Sequence, residues 1–85
     1  MGEVAVKYRL MPEDIDVNLD ELEKSVKEIG KVYSVERVPI AFGLVALDVV
    51  FIVEDREGAL DELESKLYKL RGIQNYEVVE THRLL

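Results

Sequence analysis

The sequence predicts an α+β two-layer sandwich, in which two helices cover one face of a four-stranded antiparallel sheet. Three observations predict it. Segments that alternate with period two flank two segments whose aliphatic residues recur at spacings of three and four. The order reads strand, helix, strand, strand, helix, strand. The helical stripes begin at Leu19 and Leu60, an offset of 41, so the 85-residue chain divides into two similar strand-helix-strand halves.

Val4, Val6, Tyr8 and Leu10 alternate with Ala5, Lys7 and Arg9, the pattern of a half-buried strand. Pro12 has no N–H to donate and ends it. In the first helix, Leu19, Leu22, Val26 and Ile29 form one apolar stripe. Asn18 precedes it and Glu21 follows three residues on, a variant of the capping box. Asp20 and Glu21 suit the positive end of the helix dipole. Gly30 is expected to close the helix in the left-handed conformation.

Residues 31–38 (KVYSVERV) read as a strand with imperfect alternation through Val32, Tyr33, Val35 and Val38. PIAFG is a connection. LVALDVVFIV is apolar throughout except for Asp48. Val45, Leu47, Val49, Phe51 and Val53 share one face, and Leu44, Ala46, Asp48, Val50 and Ile52 the other. A strand apolar on both faces belongs in the middle of its sheet. After EDREG, Leu60, Leu63, Leu67 and Leu70 mark the second helix, with Gly72 closing it. In the final strand, Tyr76, Val78, Glu80 and His82 alternate with Glu77, Val79, Thr81 and Arg83.

Two helices with one apolar stripe each need one sheet face to cover. The simplest solution is the ferredoxin-like βαββαβ sandwich. Right-handed crossovers place strands one and three in its centre. No linker or low-complexity tract interrupts residues 1–85, which read as a single domain.

Composition narrows the function. Cys is absent and His82 is the only histidine, so neither a thiolate site nor a histidine cluster can form. The acidic runs lack the register of a calcium loop, so no metal is expected. No apolar stretch approaches the roughly 20 residues of a membrane span. The opening MGEVAVKYRL alternates and is no signal peptide. A cytoplasmic protein with no membrane association is expected. A net charge of −7 repels nucleic acid. A ribonucleoprotein-type sheet also needs outward aromatics, whereas Tyr8 and Phe51 fall on the helix-facing rows.

Covalent chemistry finds little support. Asp48 reads as an open-face carboxylate paired with Lys7 or Arg9. His82 has no nucleophile or orienting group near it in sequence. The glycines are too scattered for a phosphate-cradling loop. No cofactor is expected, and the residues alone describe an α+β binding module rather than an enzyme.

Val38 to Asp55, VPIAFGLVALDVVFIVED, narrows this further. Pro39, Ile40, Phe42 and Gly43, with Val53, Glu54 and Asp55, resemble the P-I-G-F-G…V-V-E-D segment of the elongation factor one-beta exchange-domain family. Ala41 replaces that motif's first glycine. Pro12 and Asp14 are similar to the family's P-W-D-D turn, and Ile73, Gln74, Asn75 and Val78 to its last strand. The resemblance runs colinearly through the chain, and its length is similar to the archaeal form.

The resemblance implies a ferredoxin-like fold and a translation factor that promotes GDP-for-GTP exchange on elongation factor one-alpha. In the family a C-terminal lysine reaches toward the partner's magnesium site. Arg83 stands there, a planar fork in place of a compact ammonium. Val45 and Ala46 replace the lysine pair of the eukaryotic members. The implied partner-binding residues are Pro39, Ile40, Phe42, Gly43, His82, Leu84 and Leu85, with Arg83 as the exchange residue.

The proposed topology puts Phe42 and Arg83 at opposite ends of the sheet, and the free protein is expected to be a monomer. The alternatives are a small-molecule-sensing domain of the same fold, which leaves PIAFG unexplained, and an RNA-binding module, which salt-dependent RNA affinity would reveal.

Overall fold

A strand with one apolar row needs a cover, and β1 (Glu3–Pro12) shows which row receives it. Val6, Tyr8 and Leu10 are fully buried, whereas Ala5, Lys7 and Arg9 between them are half-buried. The computed structural model describes residues 2–84. After β1 come α1 (Leu19–Ile29), β2 (Lys31–Pro39), a short 3-10 turn (Ala41–Gly43), β3 (Val45–Glu54), α2 (Ala59–Tyr68) and β4 (Ile73–Arg83).

The strands form one antiparallel sheet in the order β2-β3-β1-β4. β1 and β3 are central, and the chain has the expected ferredoxin-like βαββαβ architecture. Val6 lies opposite Phe51, Tyr8 opposite Val49 and Leu10 opposite Leu47. Those rows, with Leu22 and Val26 of α1 and Leu63 and Leu67 of α2, make the core. The Tyr8 ring meets Phe51 and Tyr76 edge-on, with centroids 6.0 and 5.9 Å apart. Its hydroxyl donates to Glu64 Oε2 at 2.7 Å, which satisfies the one polar atom of a buried ring. Burial, and then the Glu64 carboxylate, push the phenol well above its ordinary pKa.

The Asn18 cap is present: its Oδ1 accepts from the Glu21 N–H at 3.1 Å. Three other details differ from the sequence reading. Gly30 is extended (φ −172°, ψ 175°), not left-handed. A Cβ there would lie 3.2 Å from Phe51 Cδ1 and 3.3 Å from Leu63 Cδ1. Glycine is therefore required by close packing against the core, not by helix closure.

The α2 stripe runs through Ala59, Leu63 and Leu67 at spacings of four. Leu60 is exposed, and Ala59 takes the buried position at the start of the helix. The helix ends at Tyr68, well before Gly72.

The third difference is in β4. Lys7 lies opposite Glu80 but Tyr8 lies opposite Val78, so Val79 is an extra residue, a β-bulge. Simple alternation fails across it. Tyr76 and Val78 share the helix-facing side with Thr81 and Arg83. His82, opposite Ala5, turns to the open face with Glu80. A similar bulge at Tyr33 breaks the alternation of β2.

Candidate functional site

In this topology the end of β2, the end of β1 and the start of β4 meet at one edge of the sheet. The start of β1, the end of β3 and the end of β4 meet at the other. The molecule is 41 Å along its longest axis. Phe42 and Arg83 therefore lie at opposite ends, as the sequence reading expected.

At the first end, β2 stops at Pro39, and Ile40 leads into the turn. The Leu44 N–H donates to Ala41 O at 3.3 Å, and the Ile40 N–H donates to Leu44 O at 2.8 Å. These bonds hold Phe42 at φ 62°, ψ 30°. That is the left-handed region, which a bulky side chain adopts at a cost of about 1–2 kcal/mol. Gly43 follows at φ 76°, where glycine carries no such cost. The Phe42 ring is 95% exposed. It is not folded back on the core, and its backbone conformation brings the fold no compensating burial. Ile40 is half-buried, while Pro39, Ala41 and Gly43 are exposed. The adjoining turn after Pro12 carries Ile15, which is also largely exposed.

At the other end, Arg83 is the last residue of β4. Its Nε lies 3.1 Å from Asp55 Oδ2, and the side chain is 74% exposed. The Asp55 N–H donates to Gly2 O at 2.9 Å and the Leu84 N–H to Glu3 O at 2.8 Å, which fixes both backbones. Lys31 pairs with Glu3, and Arg56 with Glu54 and Glu62, at the same end. Leu84 is exposed. Leu85 lies outside the described residues. His82 points away from Arg83 across the strand, with Nε2 3.4 Å from Glu80 Oε2. The expected site residues thus separate into a Phe42 group and an Arg83 group, with His82 on the open face near the second. Two further residues adjoin these groups, Ile15 beside Gly43 and Asp55 against Arg83. An aliphatic residue in an acidic turn is the signal the sequence offers for Ile15, and Asp55 closes the V-E-D run that resembles the family motif.

Between the two ends, the open face holds a different arrangement. Asp48 is only 3% exposed. Arg9 donates to it twice, Nε to Oδ1 at 2.8 Å and Nη2 to Oδ2 at 3.0 Å, and Lys7 Nζ lies 3.9 Å away. The hydrogen bonds from Arg9 hold the Asp48 carboxyl below its ordinary pKa, although burial alone would raise it. A carboxylate so committed is structural. Tyr8 and Phe51 are buried beneath the helices, so the open faces of β1 and β3 carry no aromatic for base stacking. Among the described residues no three His, Asp or Glu side chains are grouped to hold a metal ion. Among the described residues no helix is long and apolar enough to cross a membrane.

The sequence matches a family model described as the EF-1 guanine nucleotide exchange domain over residues 5–84. It is 38% identical over 89 residues to elongation factor 1-beta of Methanobrevibacter smithii, covering 100% of both chains. It is equally similar to the protein of that name from Methanothermobacter thermautotrophicus, again over 100% of both. Identity to elongation factor 1-beta of Methanoculleus marisnigri is 40% over 81 residues, 95% of this chain and 96% of the relative.

Proposed function

As this chain belongs to the EF-1 guanine nucleotide exchange family, we propose that it grips elongation factor one-alpha from two ends and levers out its nucleotide. It promotes exchange of GDP for GTP on that GTPase. It does so in the cytoplasm and without covalent chemistry.

Phe42 is the anchor. The observation that carries this reading is an aromatic ring 95% exposed on a strained, hydrogen-bonded turn. A fold gains nothing from such a residue, whereas an interface gains a rigid apolar knob that loses little entropy on docking. Pro39, Ile40 and Gly43 shape its base.

Arg83 is the lever. Its guanidinium ends the sheet far from Phe42, with Leu84 and Leu85 following it. Asp55 pairs with the guanidinium through one 3.1 Å contact. An exposed ion pair of this kind is weak, so phosphate or carboxylate groups near the partner's magnesium can displace Asp55. A cation brought beside a bound metal and phosphate weakens their retention. By linkage, GDP or GTP rebinding weakens the complex by the same factor and releases the exchange factor.

The direct test is release of labelled GDP from elongation factor one-alpha. Release should accelerate with added protein and saturate. A rate that stays at the spontaneous value at saturating concentration rules the reading out.

A further inference from the structure

Turns between elements are ordinarily polar; the turn from β1 to α1 carries two apolar residues, of which Val17 packs against the core and Ile15 does not. Glu13, Asp14 and Asp16 are exposed, and among them Ile15 is 66% exposed. The turn is held in place. The Asp16 N–H donates to Asp14 Oδ1 at 2.8 Å, closing a small ring around Ile15. The Glu13 N–H donates to Gly72 O at 2.9 Å, and Pro12 before it is buried. Ile15 is therefore presented to solvent by a fixed backbone.

Its turn also adjoins the turn that carries Phe42. A Cβ on Gly43 would lie 3.7 Å from Ile15 Cγ2, so the two loops adjoin. A crevice of about 40 Å³ runs between them, lined by Asp14, Ile15, Val17 and Gly43 among others. One end of the molecule thus offers two apolar side chains on neighbouring hydrogen-bonded turns, with three carboxylates beside them.

We infer that Ile15 and Phe42 form one bipartite apolar plug, which seats in an apolar pocket of the GTPase rimmed by lysine or arginine. This rests on the reading of Phe42 as the anchor. An apolar centre supplies most of an interface's affinity when a polar surround excludes water from it. Glu13, Asp14 and Asp16 supply the surround, and their charge fits a basic rim and speeds encounter with it. The net charge of −7 points the same way.

The test is a set of binding titrations against nucleotide-free elongation factor one-alpha, with melting curves for every variant. Ile15→Ala should weaken binding about tenfold at an unchanged melting temperature. The Ile15→Ala/Phe42→Ala pair should lose less than the product of the single losses, because the side chains share one pocket. Glu13→Gln with Asp16→Asn should slow association and flatten its salt dependence. An unchanged affinity for Ile15→Ala overturns the inference. If Phe42→Ala still weakens binding, the anchor reading survives alone; if neither variant does, both fall. A lowered melting temperature for Ile15→Ala, not restored by Ile15→Val, places the residue in the fold and also overturns it. A salt dependence untouched by the acid-to-amide variant refutes the basic rim.

Discussion

The arginine–aspartate pairs Arg9–Asp48 and Arg83–Asp55 have different fates. Arg9 and Asp48 meet at mid-sheet through two hydrogen bonds, with the carboxylate almost sealed from water. Arg83 and Asp55 meet at the rim through one 3.1 Å contact, with the guanidinium in solvent. The side-chain types are the same, but depth and geometry decide their roles. A bidentate pair that shelters its carboxylate from water locks one arrangement in place. A single contact in water holds a side chain ready and can be exchanged for another. The first pair belongs to the fold and the second is available to a partner.

That contrast can be broken by substitution, and the largest effect should fall at mid-sheet. Asp48→Asn should cost about 1–3 kcal/mol of stability, because the Arg9 hydrogen bonds lose their charge and Lys7 its counter-ion. The melting temperature should fall by several degrees, with no change in maximal exchange rate per folded molecule. The pair also has a pH signature. The Asp48 pKa is lower in the native state than its ordinary 3.8. Its contribution is complete above that value and is lost as pH falls through the depressed native pKa. Stability of the wild type should therefore fall more steeply than that of Asp48→Asn below about pH 4, as chemical denaturation across pH would show.

At the rim the ranking reverses. Arg83→Ala should lower the maximal exchange rate by about tenfold, roughly 1.4 kcal/mol, and leave the melting temperature within about 2 °C. An equal loss of stability would erase the contrast. Phe42→Gly sharpens it from the other end of the sheet. Removing a strained left-handed phenylalanine should raise stability by up to about 1 kcal/mol while weakening complex formation. A residue whose loss helps the fold and harms binding is held there by function. The smallest effect belongs to Asp55→Asn. Arg83 keeps its charge but loses its tether, so the exchange rate should change by about threefold or less.

The two pairs also differ in how far the sequence revealed them. Asp48 interrupts an apolar run, and period-two alternation placed it on the open face with Lys7 and Arg9. The helix-facing rows through Tyr8 and Phe51 were legible for the same reason, as was the Asn18 cap. The rim was not legible in this way. The bulge at Val79 reverses the faces of everything after it, and a bulge is defined by the partner strand's register, which no local pattern records. His82 and Arg83 consequently exchanged sides. Gly30 was assigned to helix closure because its neighbours in sequence suggested it, whereas its close contacts are with Phe51 and Leu63. Leu60 matches the stripe spacing, yet Ala59 holds the buried position, because the buried row of α2 runs at spacings of four through Leu63 and Leu67. Phe42 was singled out by resemblance, but its strained backbone and full exposure belong to three-dimensional structure.

In the proposed mechanism, binding and exchange reside at opposite ends of one rigid sheet. This separation is tested most directly by following GDP release from elongation factor one-alpha across a full titration of wild type, Phe42→Gly and Arg83→Ala. Phe42→Gly should shift the half-saturating concentration upward and reach the wild-type plateau. Arg83→Ala should saturate near the wild-type concentration at a much lower plateau. If both variants change the same parameter, or if either leaves the whole curve unchanged, the two-ended grip is wrong.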